Sequence, residues 1–176
     1  MINCRLTRMT SAFLVTTVFA GHVGAAEPQI VDLKTFFSGQ LSGVGSEKDS
    51  QHENARTVKF SGLGSPIAGG IKLSYDVTFS DGERQHKVWT FLQSGPDRFV
   101  GHRADLVGVA QVTQNGKTIH MTYVASVPTK SGGAHNVSFD ETFTQTRPGV
   151  IVNELKASYL FFTVATGEIT LKKAGG

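Results

Sequence analysis

Four of the six histidines in this 176-residue chain are the first side chains that could do chemistry. His86, His102, His120 and His135 fall on four different predicted strands, and histidines gathered at the mouth of a barrel could bind a metal or carry protons. No two of them have the HxH or HxxxH spacing that places two ligands side by side. The sequence therefore predicts surface or singly hydrogen-bonded histidines and no metal site.

The adjacent carboxylates Asp140 and Glu141, together with Asp76 and Asp105, could supply an acid and a base. Neighbouring side chains of a strand point to opposite faces, so if Phe143 packs inward, Glu141 shares its side and Asp140 faces solvent. Glu141 is then the interior candidate, although a solvated face is the usual place for an unpaired carboxylate. No serine stands in a GxSxG elbow. The sequence therefore predicts neither an enzyme nor a cofactor.

Aromatic side chains form a third set and favour a different kind of site. A barrel of about eight strands either fills its interior with side chains or encloses one small ligand. Large aromatic residues with polar tips suit an apolar ligand pocket, but the same residues could form a plain core. The residues that we expect to line such a pocket are Tyr75, Trp89, Phe91, His102, Tyr123, Glu141 and Tyr159.

Short alternating segments separated by turn residues must position these side chains. The clearest is IKLSYDVTF, in which every second residue from Ile71 to Phe79 is apolar or aromatic. Asp81-Gly82 predicts a two-residue hairpin turn and Asn115-Gly116 a second hairpin. Gly101 and Gly108 predict sharp bends within RFVGHRADLVGVAQV. The glycines of GQLSGVGSEKD indicate a strand that runs close to another backbone, or a bulge.

Regular strand–turn spacing without alternating helices predicts an all-β fold. We expect one antiparallel up-and-down barrel, lipocalin- or calycin-like, with about 9–10 strands in residues 27–176. Hairpin-like connections favour a barrel over a sandwich, since full closure removes exposed edges. At most one short helix is expected, in EPQIVDLKTFF (27–37), where the apolar residues fall near one helical face.

The first 26 residues have the features of a cleavable signal peptide and not of the folded domain. Arg5 and Arg8 precede a short apolar run, and Gly24-Ala25-Ala26 supplies the small residues of a cleavage site. The run is shorter than the roughly 20 residues that span a membrane. We therefore expect a periplasmic or secreted protein with no transmembrane segment after cleavage.

Removal of this segment changes the charge and the cysteine content. Lysine plus arginine falls from 17 to 15 while aspartate plus glutamate stays at 14, so the net charge is near +1. Such a chain lacks the concentrated basic surface that nucleic acid binding requires, and no nucleic acid partner is expected. The single cysteine, Cys4, would leave with the signal, so we expect no disulfide and no cysteine nucleophile.

Several short segments, in order along nearly the whole mature chain, resemble the domain of unknown function 3833 family. These segments are LKTFFSGQLSGVG, VWTF, FVGHRADLVGVAQ, NGKTIHMTY, VSFDETF, VIVNE and GEITLKK. The resemblance implies a compact β-rich, lipocalin-like fold and a periplasm-facing location in the envelope of Gram-negative bacteria. It implies no established activity and lends no catalytic residues.

Two functions of different class are consistent with these observations. The first is a periplasmic binding module whose barrel holds a small lipophilic molecule near Trp89 and Tyr123. The second is an envelope structural or interaction protein with a solidly packed barrel and no ligand. Peripheral association with the envelope fits either function.

The N-terminal residue of the exported protein tests the prediction of a signal peptide. We expect the exported protein to begin at Glu27, because Ala26 is the last small residue of the cleavage site. The intact mass of the protein recovered after export measures this directly. A mass that retains Cys4, or that carries an acyl group on it, would contradict the prediction.

Overall fold

A computed structural model describes residues 31–50, 52, 54–129 and 132–174. The predicted signal peptide and Cys4 lie outside the described residues. Within them the chain forms one short helix and ten strands. Their bounds are α1 Leu33–Phe37, β1 Gly39–Asp49, β2 Arg56–Ile67, β3 Gly70–Phe79, β4 Arg84–Gly95, β5 Arg98–His102, β6 Ala110–Asn115, β7 Thr118–Pro128, β8 Ala134–Arg147, β9 Val150–Tyr159 and β10 Phe162–Lys173.

The ten strands form a closed antiparallel barrel in which each strand pairs with its neighbours in sequence. β1 and β10 close it, with Leu41 opposite Lys173 at one end of the pairing and Asp49 opposite Ala165 at the other. Every strand therefore has two neighbours, although β5 is short and leaves residues 84–89 of β4 without a strand partner on that side. The prediction of an all-β, antiparallel up-and-down barrel with one short N-terminal helix is confirmed.

Close backbone approach explains one glycine in each of the first two strands. A Cβ added at Gly45 on β1 would lie 1.9 Å from the backbone oxygen of Glu168 on β10. A Cβ added at Gly64 on β2 would lie 1.6 Å from the carbonyl oxygen of Phe37 in α1. No side chain fits at either position, so the predicted close approach of a glycine-rich strand to another backbone is confirmed.

Helix α1 closes one end of the barrel. The carboxylate of Asp32 caps it by accepting a hydrogen bond from the backbone N–H of Lys34 at 3.0 Å. The ring of Phe37 packs inward, with its centroid 6.2 Å from that of Phe91 and 5.7 Å from that of Phe143. The helix prediction is confirmed for residues 33–37, whereas residues 27–30 lie outside the described residues. Nowhere in the described part of the chain does a helix have the length and hydropathy of a membrane span.

The segment RFVGHRADLVGVAQV is not one bent strand. β5 ends at His102 and β6 begins at Ala110, and the loop between them contains Gly108 at a φ of +86°. Gly101 does not bend its strand, so that prediction is wrong. It makes room for the core, since an added Cβ would lie 3.1 Å from ring atoms of Trp89 and Phe91.

The two predicted hairpin turns differ. Gly116 has a φ of +56° and Asn115 pairs with Thr118, so this turn is confirmed. Four residues, 80–83, separate β3 from β4, so the two-residue turn at Asp81-Gly82 is wrong. Within this loop the Asp81 carboxylate accepts a hydrogen bond from the backbone N–H of Glu83 at 3.0 Å.

Gly45 tests the closure of the barrel. Replacing it by alanine should lower the free energy of unfolding by at least about 2 kcal/mol, because the new methyl group overlaps the backbone of β10. Gly95→Ala is the matched control, since its added Cβ lies 3.9 Å from its nearest neighbour, the Cβ of Arg98. Urea unfolding followed by circular dichroism compares them. Equal midpoints for the two variants would contradict the prediction.

Candidate functional site

The barrel is hollow. Its inner surface encloses a cavity of about 990 Å³ that extends from Phe37 on α1 to His135 and Tyr159 at the opposite rim. Alternation along each strand turns every second side chain into this space. Buried apolar side chains still pack part of the interior, with Trp89 only 3% exposed, so the cavity favours a binding module over a solidly packed barrel without deciding between them.

Stacked aromatic rings form one wall of the cavity. Trp89 on β4 stacks on Phe91, with ring centroids 5.2 Å apart, and meets Tyr123 of β7 edge-on at 5.2 Å. Tyr123 in turn stacks on Phe139 of β8 at 4.8 Å. The rings form a continuous apolar surface of the kind that holds hydrocarbon or aromatic ligands.

A buried cation lies against this wall. The guanidinium of Arg103 lies 4.6 Å from the centroid of the Trp89 ring and 4.9 Å from that of Tyr123, which is a cation–π arrangement. The Nε of Arg103 donates a hydrogen bond to Asp105, which also accepts one from the Nζ of Lys87 at 2.9 Å. Two cations and one carboxylate give this group a net charge of +1.

The electrostatics of this group favour its ionised state. Burial alone would raise the pKa of Asp105, but the hydrogen bonds from Arg103 and Lys87 outweigh burial and lower that pKa below its usual value. The positive charge of the group is therefore a stable feature of the cavity near neutral pH.

A buried carboxyl group lies next to the wall. The hydroxyl of Tyr123 donates a hydrogen bond to Oε1 of Glu141 at 2.6 Å, and Nδ2 of Asn153 donates to Oε2 at 3.1 Å. Glu141 is 8% exposed whereas Asp140 beside it is exposed, so the predicted inward orientation of Glu141 is confirmed. Burial raises the pKa of Glu141, and the two hydrogen bonds oppose that rise without cancelling it. Burial also raises the pKa of Tyr75 to about 12, so its hydroxyl stays neutral.

A dense cluster of ion pairs lies on one side of the mouth. Arg56 of β2 is buried at its centre, with the guanidinium 4.0 Å from the centroid of the Phe79 ring. The cluster ties β1 and β2 to the β3–β4 loop and leaves this side of the mouth with an excess of negative charge. The four carboxylates that accept hydrogen bonds from Arg56 are Glu47, Asp49, Asp81 and Glu83.

Most of the residues predicted to line a pocket do line this cavity. His102 does not, because Phe99 and Gly101 take the inward positions of β5 and leave His102 exposed on the outer face. Whether the lining residues bind a ligand stays a prediction. The predicted residues that line the cavity are Tyr75, Trp89, Phe91, Tyr123, Glu141 and Tyr159.

The histidines do not gather. His86 pairs with Asp76 and His120 with Asp140, each at 2.8 Å and each exposed. Within residues 31–50, 52, 54–129 and 132–174, no three histidine, cysteine or acidic side chains are grouped so that they could hold a metal ion.

Sequence reasoning missed Arg103 and Asn153. Arg103 belongs to the loop after β5, where strand alternation does not apply, and the nearby Asp105 was its one sequence signal. Asn153 lies on the inward face of β9, as Ile151 and Ala157 do. A polar residue in an apolar phase is a signal for a buried hydrogen-bonded group.

A protein-family model described as protein of unknown function (DUF3833) matches residues 13–173. No curated protein matches the sequence. An S-type phycobiliprotein lyase from Guillardia theta aligns over 81% of this chain and 91% of its own, with a TM-score of 0.62 and 9% identity. A redesigned β barrel bound to DFHBI aligns over 80% and 97%, with a TM-score of 0.42 and 12% identity. The likeness to the lyase shows a common fold.

Glu141 should make stability depend on pH. Its pKa in the folded protein is raised above 4.5, so between these two pKa values the folded protein binds more protons than the unfolded chain. The free energy of unfolding therefore falls as pH rises through that window. Glu141→Gln lacks this titration. The stability of the wild type relative to this variant should be highest below a pH of about 4.5 and should fall above it.

Thermal unfolding of both proteins over a series of pH values measures this difference. The matched control is Glu154→Gln, on the outer face of β9, where the side chain is exposed. Its difference from the wild type should not follow the same course. A difference between wild type and Glu141→Gln that stays constant across the series would contradict the prediction.

Proposed function

This chain belongs to the DUF3833 family of proteins of unknown function, and we propose that it is an exported binding protein that holds a small lipophilic molecule in its barrel. The ligand class that fits best is a hydrocarbon or aromatic body with one anionic head group. The periplasm, or the medium outside the cell, is the compartment we propose for it, on the basis of its N-terminal sequence.

The cavity is the observation that carries this proposal. Small-molecule sites in proteins occupy about 300–1,000 Å³ and are mostly apolar with a few fixed polar groups. The cavity here has about 990 Å³ and an aromatic wall. Its charged lining residues are Glu141 and two ion-paired groups, one around Arg56 at the mouth and one around Arg103. Its size suits a molecule with a long chain or several fused rings.

The charges inside the cavity favour an anionic head group. Arg103, Lys87 and Asp105 together carry +1. Burial raises the pKa of Glu141 above its usual value, which weakens the tendency of this carboxyl to carry an opposing charge. A carboxylate or phosphate near Arg103 would gain charge-assisted hydrogen bonds, which are stronger in a protein interior than in water. A neutral lipophile would leave the positive charge of the group uncompensated.

Titration with two matched lipids tests the proposal. Trp89 is the single tryptophan of the chain and lies in the cavity wall, so its fluorescence reports occupancy. Oleate should change the emission and release measurable heat in calorimetry. Oleyl alcohol, which has the same chain and no charge, should bind more weakly.

Two arginine variants test where the head group of the bound lipid lies. Arg103→Gln should weaken oleate binding by about tenfold, because one hydrogen bond to a charged group is lost. It should change the binding of oleyl alcohol little. Arg147→Gln, an exposed arginine at the end of β8, is the matched control and should bind both lipids as the wild type does. If neither lipid gives heat or a fluorescence change, the proposal fails and an envelope interaction protein becomes the better interpretation.

A further inference from the structure

The turn between β9 and β10 exposes three consecutive large apolar side chains. Leu160 is 65% exposed, Phe162 is 75% exposed and Phe161 is fully exposed. We call residues 160–162 the hydrophobic tip. Large apolar side chains that lie together in contact with water mark a surface that binds a membrane or another protein.

The backbone of the hydrophobic tip is strained. Tyr159 pairs with Phe162, and the two residues between them have positive φ angles, +47° for Leu160 and +71° for Phe161. Hairpins with two such residues strongly prefer Asn-Gly, because a Cβ makes this conformation unfavourable. Folding alone would therefore favour Asn-Gly here. The apolar side chains are kept at a cost to stability, which indicates a role outside the fold.

The hydrophobic tip stands at the mouth of the cavity, at the end opposite α1. Tyr159, which precedes it, lines the cavity and stacks on His135 with centroids 4.5 Å apart. No charged residue occurs between Lys156 and Glu168. The tip is therefore a charge-free, apolar projection beside the entrance.

We propose that the hydrophobic tip inserts into a lipid bilayer and holds the mouth of the barrel against the membrane surface. A stable protein interface buries about 800 Å² on each partner, and a projecting turn with three apolar side chains offers less than such a surface. Insertion into a bilayer needs only a projecting apolar group without charges. Tyr159 would then lie at the depth of the lipid head groups, where tyrosine is favoured.

The charges at the mouth determine which lipids the hydrophobic tip should bind. The ion-pair cluster around Arg56 carries four carboxylates against one arginine, and His52 pairs with two of them, so this side of the mouth offers no excess positive charge to attract anionic lipids. Apolar insertion must therefore drive docking. Binding should be as strong on neutral phosphatidylcholine as on vesicles that contain phosphatidylglycerol, and added salt should not weaken it. Docking does not depend on whether the cavity holds a ligand.

The double variant Leu160→Asn/Phe161→Gly separates docking from folding. Asn-Gly suits the two positive φ angles, so the thermal unfolding midpoint should stay the same or rise. Sedimentation with phosphatidylcholine vesicles should fall by about tenfold or more, because two apolar side chains that enter the bilayer are removed. Val44→Thr is the matched control, since Val44 is exposed on the outer face of β1. It should bind vesicles as the wild type does.

A second measurement does not depend on the double variant. Phe161→Trp adds a fluorophore at the tip, whereas Trp89 is buried. The emission of the added fluorophore should shift to the blue on adding vesicles and should be quenched by lipids brominated on their acyl chains. Wild type that stays in solution, a double variant that binds vesicles normally, or a tip fluorophore that the brominated lipids leave unquenched would each overturn the proposal. Wild type that self-associates through the tip in gel filtration, while ignoring vesicles, would overturn it in favour of a second copy of the chain.

Discussion

Pairing of β1 with β10 is the interaction on which the rest of the structure depends, because it turns a meander of hairpins into a closed surface with an inside. Closure satisfies the backbone groups of the first and last strands and fixes which face of every strand points inward. A barrel of about eight strands is just wide enough for side chains to fill, and this one has ten. The cavity is therefore a consequence of strand number, and α1 closes one of its two ends.

Charged groups in such a cavity lose hydration, and those here are paired. Arg103 and Lys87 share Asp105, while Glu141 accepts hydrogen bonds from Tyr123 and Asn153. Well-packed apolar residues in place of a buried ion pair are often as stabilising or more so, so stability alone does not account for these groups. Fixed polar groups in an apolar cavity are what orient a bound molecule. The arrangement therefore fits selection for binding better than selection for stability.

Strand alternation made most of the fold and part of the cavity predictable. The inward phase of β3 and the inward position of Glu141 follow from a period of two residues, which the closed barrel preserves over long strands. Because Phe99 and Gly101 point inward from β5, the same alternation places His102 on the outer face of the barrel. Arg103 could not be found in this way, because its loop has no repeating phase. Its position depends on Trp89, which only the folded chain brings to it.

Backbone conformation sets the β9–β10 turn apart from the other turns of the barrel. At the end that α1 closes, the turns place Gly69, Gly116 and Gly149 at positive φ, and Asp97 in the β4–β5 turn. These residues suit the conformation, so local preference and fold agree there. At the open end, the β9–β10 turn forces Leu160 and Phe161 into the same region of φ and exposes both. Conflicts between local preference and fold concentrate at functional sites. Among the turns at the mouth, the β9–β10 turn therefore has a sequence that the fold does not account for, and insertion of its side chains into a surface outside the barrel would account for it.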